Sequence, residues 1–197
     1  MSTITLDIDL CPSMSKEQAI AKIIPIFRQY GYEGTTLSML AKATGLGKAS
    51  LYHHFPQGKE GMAAAVIDYI SYCFRDTVLK PLKNQDKPAE KIHKMCHSLK
   101  KFYHNGRNGC FLAIMSFGEA DNLFHAQVKQ RLQTWLDTLA QVLIEGGIEP
   151  EIAQLRSQNA IMQIQGALIF VRILDDTAPF EQVIANLPEE LLSVSQL

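Results

Sequence analysis

The stretch that decides the fold is residues 31–62, which read GYEGTTLSMLAKATGLGKASLYHHFPQGKEGM. Thr35-Thr36 can cap a short helix that stops at Gly45, because glycine readily takes the left-handed conformation that ends a helix. A second short helix begins at Gly47 or Lys48, and a Pro-Gln-Gly tripeptide breaks it. Two short helices joined by a glycine-containing turn are what a helix-turn-helix unit requires, and the stretch therefore predicts one.

The second helix of this unit carries side chains that can reach nucleic acid. Lys48, Ser50, Tyr52 and His53 are polar groups able to meet base edges or phosphates in a DNA major groove. Lys59 follows at the start of another helix, where free N–H groups and the helix dipole favour a phosphate. The pattern therefore predicts a DNA-binding surface.

Basic charge is concentrated in the same part of the chain. Residues 11–60 hold six basic and three acidic side chains, whereas all 197 residues carry a formal net charge of -1. Phosphate contacts supply much of the affinity of DNA-binding proteins. The local excess of positive charge therefore favours DNA as the partner of this segment.

The end of the second helix, Leu51-Tyr52-His53-His54-Phe55 followed by Lys59-Glu60, resembles the recognition helix of the TetR family of bacterial transcriptional regulators. The close match covers roughly residues 16–66, and the remainder is similar to the family only in layout. The resemblance implies an all-α fold with two domains. An N-terminal three-helix DNA-binding domain would contain the helix-turn-helix, and a larger helical C-terminal domain would bind a ligand and form the dimer.

The resemblance also implies roles for individual residues. The positions that would face the major groove are Lys48, Ala49, Ser50, Tyr52 and His53. The positions that would hold backbone phosphates are Thr36 and Lys59.

Three positions depart from the pattern of the family. Gly47 replaces the usual serine or threonine cap, and Ala49 stands where the family often has glycine. The spacer Pro56-Gln57-Gly58 is one residue longer than the commonest one. These departures bear on base contacts, on the stability of the helix and on the placement of Lys59.

Apolar residues recur at the helical period over nearly all of the remaining chain, which predicts an all-α protein. Residues 1–14 instead alternate apolar and polar side chains without a partner strand, and we expect a flexible N-terminal arm there. The helix-turn-helix DNA-binding domain is expected over residues 15–58. A helical effector-binding and dimerisation domain is expected over residues 59–197.

The last two helices, expected at about 150–174 and 180–192, carry more apolar surface than one core needs. Ala160, Gly166 and Ala167 are small enough to let another helix approach closely. The resemblance implies a homodimer in which these helices of both subunits form a four-helix bundle. Two recognition helices about 34–36 Å apart would then meet successive major grooves of a palindromic operator.

The middle helices supply side chains for an effector pocket, in which Gln165 is a candidate polar anchor. The pocket candidates, each of which also suits a purely structural place in the core, are Phe74, Leu99, Tyr103, Phe111, Met115, Trp135, Met162, Gln165 and Phe170. Methionine and aromatic side chains suit an adaptable apolar pocket. The predicted function is a repressor released from its operator by a small apolar or aromatic effector, with the helix that starts at Lys59 as the lever.

Cys110 is a candidate redox site. It begins a short helix after a glycine turn and near Arg107, and a helix N-terminus and a cation both lower the pKa of a thiol. A thiol-based repressor that senses oxidants or electrophiles is therefore one alternative function. The other interpretation of Cys110 is a small buried apolar residue.

Other functional classes receive less support from the sequence. His93, Cys96, His97 and His104 share a helix face, but a solvated polar face explains them more simply than a metal site. No metal and no cofactor are therefore expected. The chain has no nucleotide-binding loop and no G-x-S-x-G motif, so an enzyme is not expected. A helical interaction module without DNA binding stays open as an alternative.

The cellular location is predicted from features spread along the chain. The four cysteines have irregular spacings, which favours reduced thiols over a disulfide framework. The N-terminus lacks a basic leader segment, and no apolar run approaches the ~20 residues of a membrane span. We therefore expect a cytoplasmic protein that does not enter a membrane.

Overall fold

The structure is a computed structural model that describes residues 14–193, and this part of the chain is helical without any strand. In chain order the helices are α1 (Lys16–Tyr30), α2 (Leu37–Thr44), α3 (Lys48–His54), α4 (Gly58–Phe74), α5 (Pro88–Phe102), α6 (Phe111–Ile114), α7 (Gly118–Glu145), α8 (Pro150–Leu174) and α9 (Ala178–Leu192). The all-α prediction is confirmed. The predicted flexible arm lies outside the described residues, apart from Met14.

Helix ends follow the sequence where a cap is encoded locally. The S-x-x-Q spacing of Ser15 and Gln18 predicts a capping box, and the two residues form it, so α1 begins at Lys16. Thr36 caps α2, which ends before Gly45 as predicted. Pro150 opens α8 in the first turn, where its missing N–H costs nothing.

The helix predicted to run from Lys59 to about Leu79 changes geometry before its end. The α-helix stops at Phe74, and Arg75–Leu79 form a wider π-helical turn in which the Lys80 N–H donates to the Arg75 carbonyl. A 3₁₀ turn over Lys80–Lys83 follows. The ring of Pro81 would crowd the Thr77 carbonyl in an α-helix, and this favours the change of geometry here.

Two other predicted helices have different bounds. The short apolar helix expected over residues 110–118 covers only Phe111–Ile114. The long helix expected from Asn122 begins four residues earlier, at Gly118. The reason for the early start is a tertiary contact, since the Glu33 carboxylate accepts a hydrogen bond from the Glu119 N–H at 2.6 Å.

Buried apolar residues form two clusters. The first is built from α1–α4 and continues into α6 and the start of α7 through Phe111, Met115, Ala120 and Phe124. The second is built from α5, the rest of α7, α8 and α9. The first core therefore extends past residue 58, the predicted end of the helix-turn-helix domain.

The part of the chain described by the structure contains no helix that combines the length and the apolar character of a membrane span.

We expect Gly106→Ala to destabilise the fold. Gly106 has φ +89, and an added Cβ would lie 2.9 Å from Phe180 Cβ and 3.0 Å from Val171 Cγ2. Backbone strain and overpacking together should lower the free energy of unfolding by about 1–3 kcal/mol and the melting temperature by several degrees. Thermal unfolding followed by circular dichroism measures this.

Gly109→Ala is the matched control in the same loop. Its added Cβ would meet nothing within 4 Å, and its backbone is not left-handed. We expect a change within about 0.5 kcal/mol. Equal melting temperatures for the two variants would contradict the packing of Gly106 against α8 and α9.

Candidate nucleic-acid interface and internal cavity

Hydrogen bonds fix the turn between α2 and α3. Gly45 takes the left-handed conformation (φ 75) and its N–H donates to the Ala41 carbonyl. The buried Thr44 hydroxyl donates to the Leu40 carbonyl at 2.9 Å and accepts from the Leu46 N–H at 3.2 Å. These bonds set the angle at which α3 leaves the turn.

Helix α3 buries one side and exposes the rest. Leu51 is 1% exposed and Phe55, directly after the helix, is 2% exposed. Gly47, the N-cap, makes no side-chain capping bond, as its lack of a side chain dictates. The residues around Leu51 that face solvent are Lys48, Ala49, Ser50, Tyr52 and His53.

Tyr52 rests on the start of α4. A Cβ at Gly58 would lie 3.2 Å from Tyr52 Cε1, so the Tyr52 ring would have to shift to admit one. Gly58 also has φ +60, which glycine adopts without strain. Gly58 is both the last residue of the longer Pro56-Gln57-Gly58 spacer and the first residue of α4.

The two residues expected at phosphates have different surroundings. Thr36 is exposed, and its hydroxyl accepts from the Met39 N–H at 3.2 Å as the cap of α2. Lys59 is half-buried, and its Nζ donates to the Tyr32 carbonyl at 3.1 Å and lies 4.1 Å from the centroid of the Tyr32 ring. An ammonium has three donors, so Lys59 can hold this position and still contact a phosphate.

A cavity of about 500 Å³ lies between α4, the α5–α6 segment, α7 and α8. Its lining is rich in aromatic rings. Phe74 makes edge contacts with Phe102 and Trp135, at centroid distances of 5.1 and 4.8 Å. Tyr103 and Phe111 also line the cavity and are almost fully buried. Such a lining suits a ligand with an apolar or aromatic body.

Three polar side chains, those of Tyr103, Cys110 and Gln165, lie together in the cavity lining. Burial raises the pKa of Tyr103 well above its ordinary value, and the nearby Cys110 thiol adds to the effect. Of the two polar side chains beside the Tyr103 hydroxyl, Cys110 raises the pKa of Tyr103 and Gln165 lowers it. Tyr103 therefore stays a neutral phenol that can donate or accept a hydrogen bond.

Arg131 supplies a cation to the cavity lining. Its Nε donates to the Ser71 hydroxyl at 2.5 Å, and a second nitrogen pairs with the Asp68 carboxylate. Nη1 donates to the Gln127 carbonyl at 3.0 Å. The guanidinium is thus held in place by α4 and α7.

Helix α8 has two apolar faces. One face packs into the second core through residues such as Ile161, Ile164 and Leu168. The opposite face is exposed, and its large apolar residues are Leu155, Met162, Ile169, Phe170, Ile173 and Leu174. Leu155, Met162 and Ile169 are seven residues apart, which places them in one stripe along the helix.

Comparison with known proteins places the chain in a family. Residues 20–66 match the family described as bacterial regulatory proteins, tetR family. Residues 88–186 match the C-terminal domain described as transcriptional regulator LmrA/YxaF-like. The chain belongs to the TetR family. It is therefore a DNA-binding transcriptional regulator and not an enzyme, as the sequence predicted.

Individual relatives agree with this assignment. The HTH-type transcriptional regulator LmrA of Bacillus subtilis is 23% identical over 90% of this chain and 96% of its own length. The negative transcriptional regulator IcaR of the icaADBC biofilm operon in Staphylococcus epidermidis is 28% identical over 66% of this chain and 68% of its own length. A TetR transcriptional regulator of Legionella pneumophila has the same fold, with a TM-score of 0.77 at 22% identity over 89% of this chain and 96% of that one.

Some of the residues predicted for the effector pocket line the cavity of this TetR-family chain. The predicted residues that line it are Phe74, Tyr103, Phe111, Trp135 and Gln165. Leu99 and Met115 do not line it, because each is fully buried in one of the two cores. Met162 and Phe170 are 55% and 58% exposed on the outer face of α8. The helical spacing of apolar residues does not show which of the two apolar faces of α8 packs into the core.

Several lining residues were not predicted from the sequence, among them Ile70, Phe102, Val128 and Arg131. Arg131 precedes Trp135 by one helical turn, and this spacing is the signal that could have found it. The cation beside Cys110 is also different from the predicted one. Arg28 of α1 interacts electrostatically with Cys110, whereas Arg107 is exposed.

Residues 14–193 contain no group of three or more histidine, cysteine, aspartate or glutamate side chains that could hold a metal ion.

Proposed function

We propose that this chain is a homodimeric repressor that binds a palindromic operator and releases it when a small apolar or aromatic effector enters the cavity. The observation that carries the proposal is the exposed surface of α3 around the buried Leu51. The cavity of about 500 Å³, lined by aromatic rings, supports the effector. Repression is supported by the relative IcaR, which is a negative transcriptional regulator.

In the proposed function, each predicted domain has its own role. Residues 15–58 bind DNA, with Lys48, Ala49, Ser50, Tyr52 and His53 in the major groove and Thr36 and Lys59 at phosphates. Residues 59–197 bind the effector and form the dimer. A regulator of this kind works where the DNA is, in the cytoplasm.

Helix α4 connects the two activities. Its first half buries Met62 and Val66 in the first core, and its second half places Ile70 and Phe74 at the cavity. An effector that binds one orientation of α4 more tightly shifts the dimer toward that orientation. Recognition helices that are then too far apart for successive major grooves lose the operator.

Dimerisation is supported by the exposed stripe of α8. A run of large apolar side chains on one helix face marks a contact surface, because solvated faces of monomers seldom carry one. The half-exposed Gly166 lies within this stripe and lets a second helix approach. In the proposed dimer, α8 and α9 of both subunits form a four-helix bundle.

We expect Lys48→Ala to weaken binding to the duplex that the wild-type protein protects upstream of its own gene. Loss of a base or phosphate contact should cost about 1–3 kcal/mol, which is about fivefold to a hundredfold in affinity. If the contact is a phosphate, the slope of log affinity against log salt should fall by about one. Footprinting and fluorescence anisotropy at several salt concentrations measure both.

Lys87→Ala is the matched control, because Lys87 is exposed at the start of α5. Its affinity and salt slope should equal those of the wild type. A helical interaction module without DNA binding would show no protected duplex at all. Equal affinities for the Lys48→Ala variant and the wild type would remove α3 from the interface.

We expect Ile169→Asp to dissociate the dimer. The substitution places a charge in the centre of the α8 stripe, where the four-helix bundle would exclude water. Sedimentation velocity should show the monomer mass at concentrations where the wild type is dimeric. Gln154→Asp, on the same helix but outside the stripe, should leave the dimer intact; a dimeric Ile169→Asp would place the interface elsewhere.

Trp135 is the single tryptophan of the chain and lines the cavity, so its fluorescence reports occupancy. We expect an uncharged aromatic effector to change the Trp135 emission on titration and to weaken operator binding over the same concentration range. Val128→Phe, which fills part of the cavity, should reduce both effects. A compound that binds the free and the operator-bound dimer equally tightly would contradict release by population shift.

A thiol-based response through Cys110 is a second candidate function. The half-buried Cys110 lines the cavity in contact with Tyr103 and near the Arg28 cation. A modified thiol would therefore place its new group inside the cavity. Unchanged operator affinity after a thiol reagent has modified Cys110 would eliminate this candidate.

A further inference from the structure

Phe111 belongs to the cavity and to the core of the DNA-binding unit at the same time. It lines the cavity and is 2% exposed, and it packs in the first core with residues of α1 and α4 such as Phe27 and Val66. Met115 and Phe124 extend this shared packing into α6 and α7. The cavity wall therefore continues into the DNA-binding unit without passing through α4.

Arg28 binds α1 to the same wall. Its Nη1 donates a hydrogen bond to the Gly109 carbonyl at 2.6 Å, and its guanidinium carbon lies 5.9 Å from the centroid of the Phe111 ring. Gly109 is followed directly by Cys110 and Phe111, both of which line the cavity. Among residues 14–193, Arg28 is in no ion pair with a carboxylate, so its position is set by this segment.

The loop directly before Gly109 is held by its own backbone hydrogen bonds and by packing. His104, Asn105 and Gly106 are three successive residues with positive φ, and the Asn105 and Asn108 N–H groups donate to carbonyls of α5 and Tyr103. Gly106 packs closely against Val171 of α8 and Phe180 of α9. The loop that precedes Gly109 is therefore anchored against α8 and α9.

Glu33 makes a second connection between the two units. Its carboxylate accepts a hydrogen bond from the Glu119 N–H at the start of α7 at 2.6 Å. Interactions with the backbone N–H of Glu33 itself and of Glu119 lower the pKa of the Glu33 carboxyl. A Cβ at Gly118 would overlap this carboxylate, so any other residue there would displace the Glu33 side chain. The same α7 carries Arg131 and Trp135 at the cavity.

We propose that Arg28 and Glu33 are positioning residues for operator binding, which hold the DNA-binding unit against the cavity wall. Through its contacts with Gly109 and Phe111, Arg28 passes a displacement caused by cavity occupancy to α1. The inference rests on the proposed function. It adds a route that runs from Phe111 to α1, beside the route through α4.

The experiment is a double-mutant cycle on the full-length dimer. The DNA is the duplex that the wild-type protein selects from a random-sequence library, and Cys110→Trp serves as a built-in occupant of the cavity beside Gly109. Operator affinity is measured for the wild type, Cys110→Trp, Arg28→Met and the combined variant. Affinity for a duplex of unrelated sequence and the melting temperature are measured for all four.

The expected result is non-additive. Cys110→Trp should weaken operator binding about tenfold in the wild-type background and less than about threefold in the Arg28→Met background. Arg28→Met alone should weaken operator binding severalfold and leave the affinity for unrelated duplex unchanged, because the DNA-binding unit itself stays intact. Arg28→Lys keeps the charge and a donor, and should retain most of the coupling. Arg107→Met, in the same loop but exposed, is the control and should match the wild type.

Two outcomes overturn the proposal. One is that the fold-losses of operator affinity in Cys110→Trp and Arg28→Met simply multiply in the combined variant, which means that the two sites are not coupled. The other is that Cys110→Trp leaves operator affinity unchanged. If Arg28→Met does not fold, Glu33→Ala decides, because it removes the acceptor of the Glu119 N–H: it should weaken operator binding severalfold and leave the affinity for unrelated duplex unchanged, and wild-type operator affinity refutes the link. A wild-type protein that selects no duplex would refute the proposed function instead, so the two failures are distinguishable.

Discussion

The orientation of α3 depends on the burial of Leu51 and Phe55. A helix of seven residues is not stable alone in water, so packing has to hold it. Both side chains are almost wholly removed from solvent in a core that they share with α1, α2 and α4. Because this core fixes one side of α3, the remaining side chains from Lys48 to His53 face outward together.

The same core links DNA binding to the rest of the molecule. Its boundary does not coincide with the end of the helix-turn-helix, because α6 and the start of α7 bury Phe111, Met115 and Phe124 in it. The cavity therefore shares a wall with the DNA-binding unit. Packed interiors pass on small displacements because they have low compressibility, which makes this shared wall suited to regulation.

The sequence predicted the helix-turn-helix residue by residue, since its signals are local. A cap at Thr36, a left-handed Gly45 and one buried face of α3 act within a few residues of each other. The pocket was predicted only in part. Phe74 and Trp135 line the cavity while Leu99 and Met162 do not, because a helical period identifies apolar faces but not what each face meets.

By itself, the amino-acid sequence determined the helical fold, the helix-turn-helix and the family, because short-range caps, turns and periodicity encode them. The tertiary structure alone decided how the units are joined. The contacts of Arg28 with Gly109 and of Glu33 with Glu119 connect residues more than 80 positions apart. No local pattern records such pairs, since they form only when separate helices pack against one core.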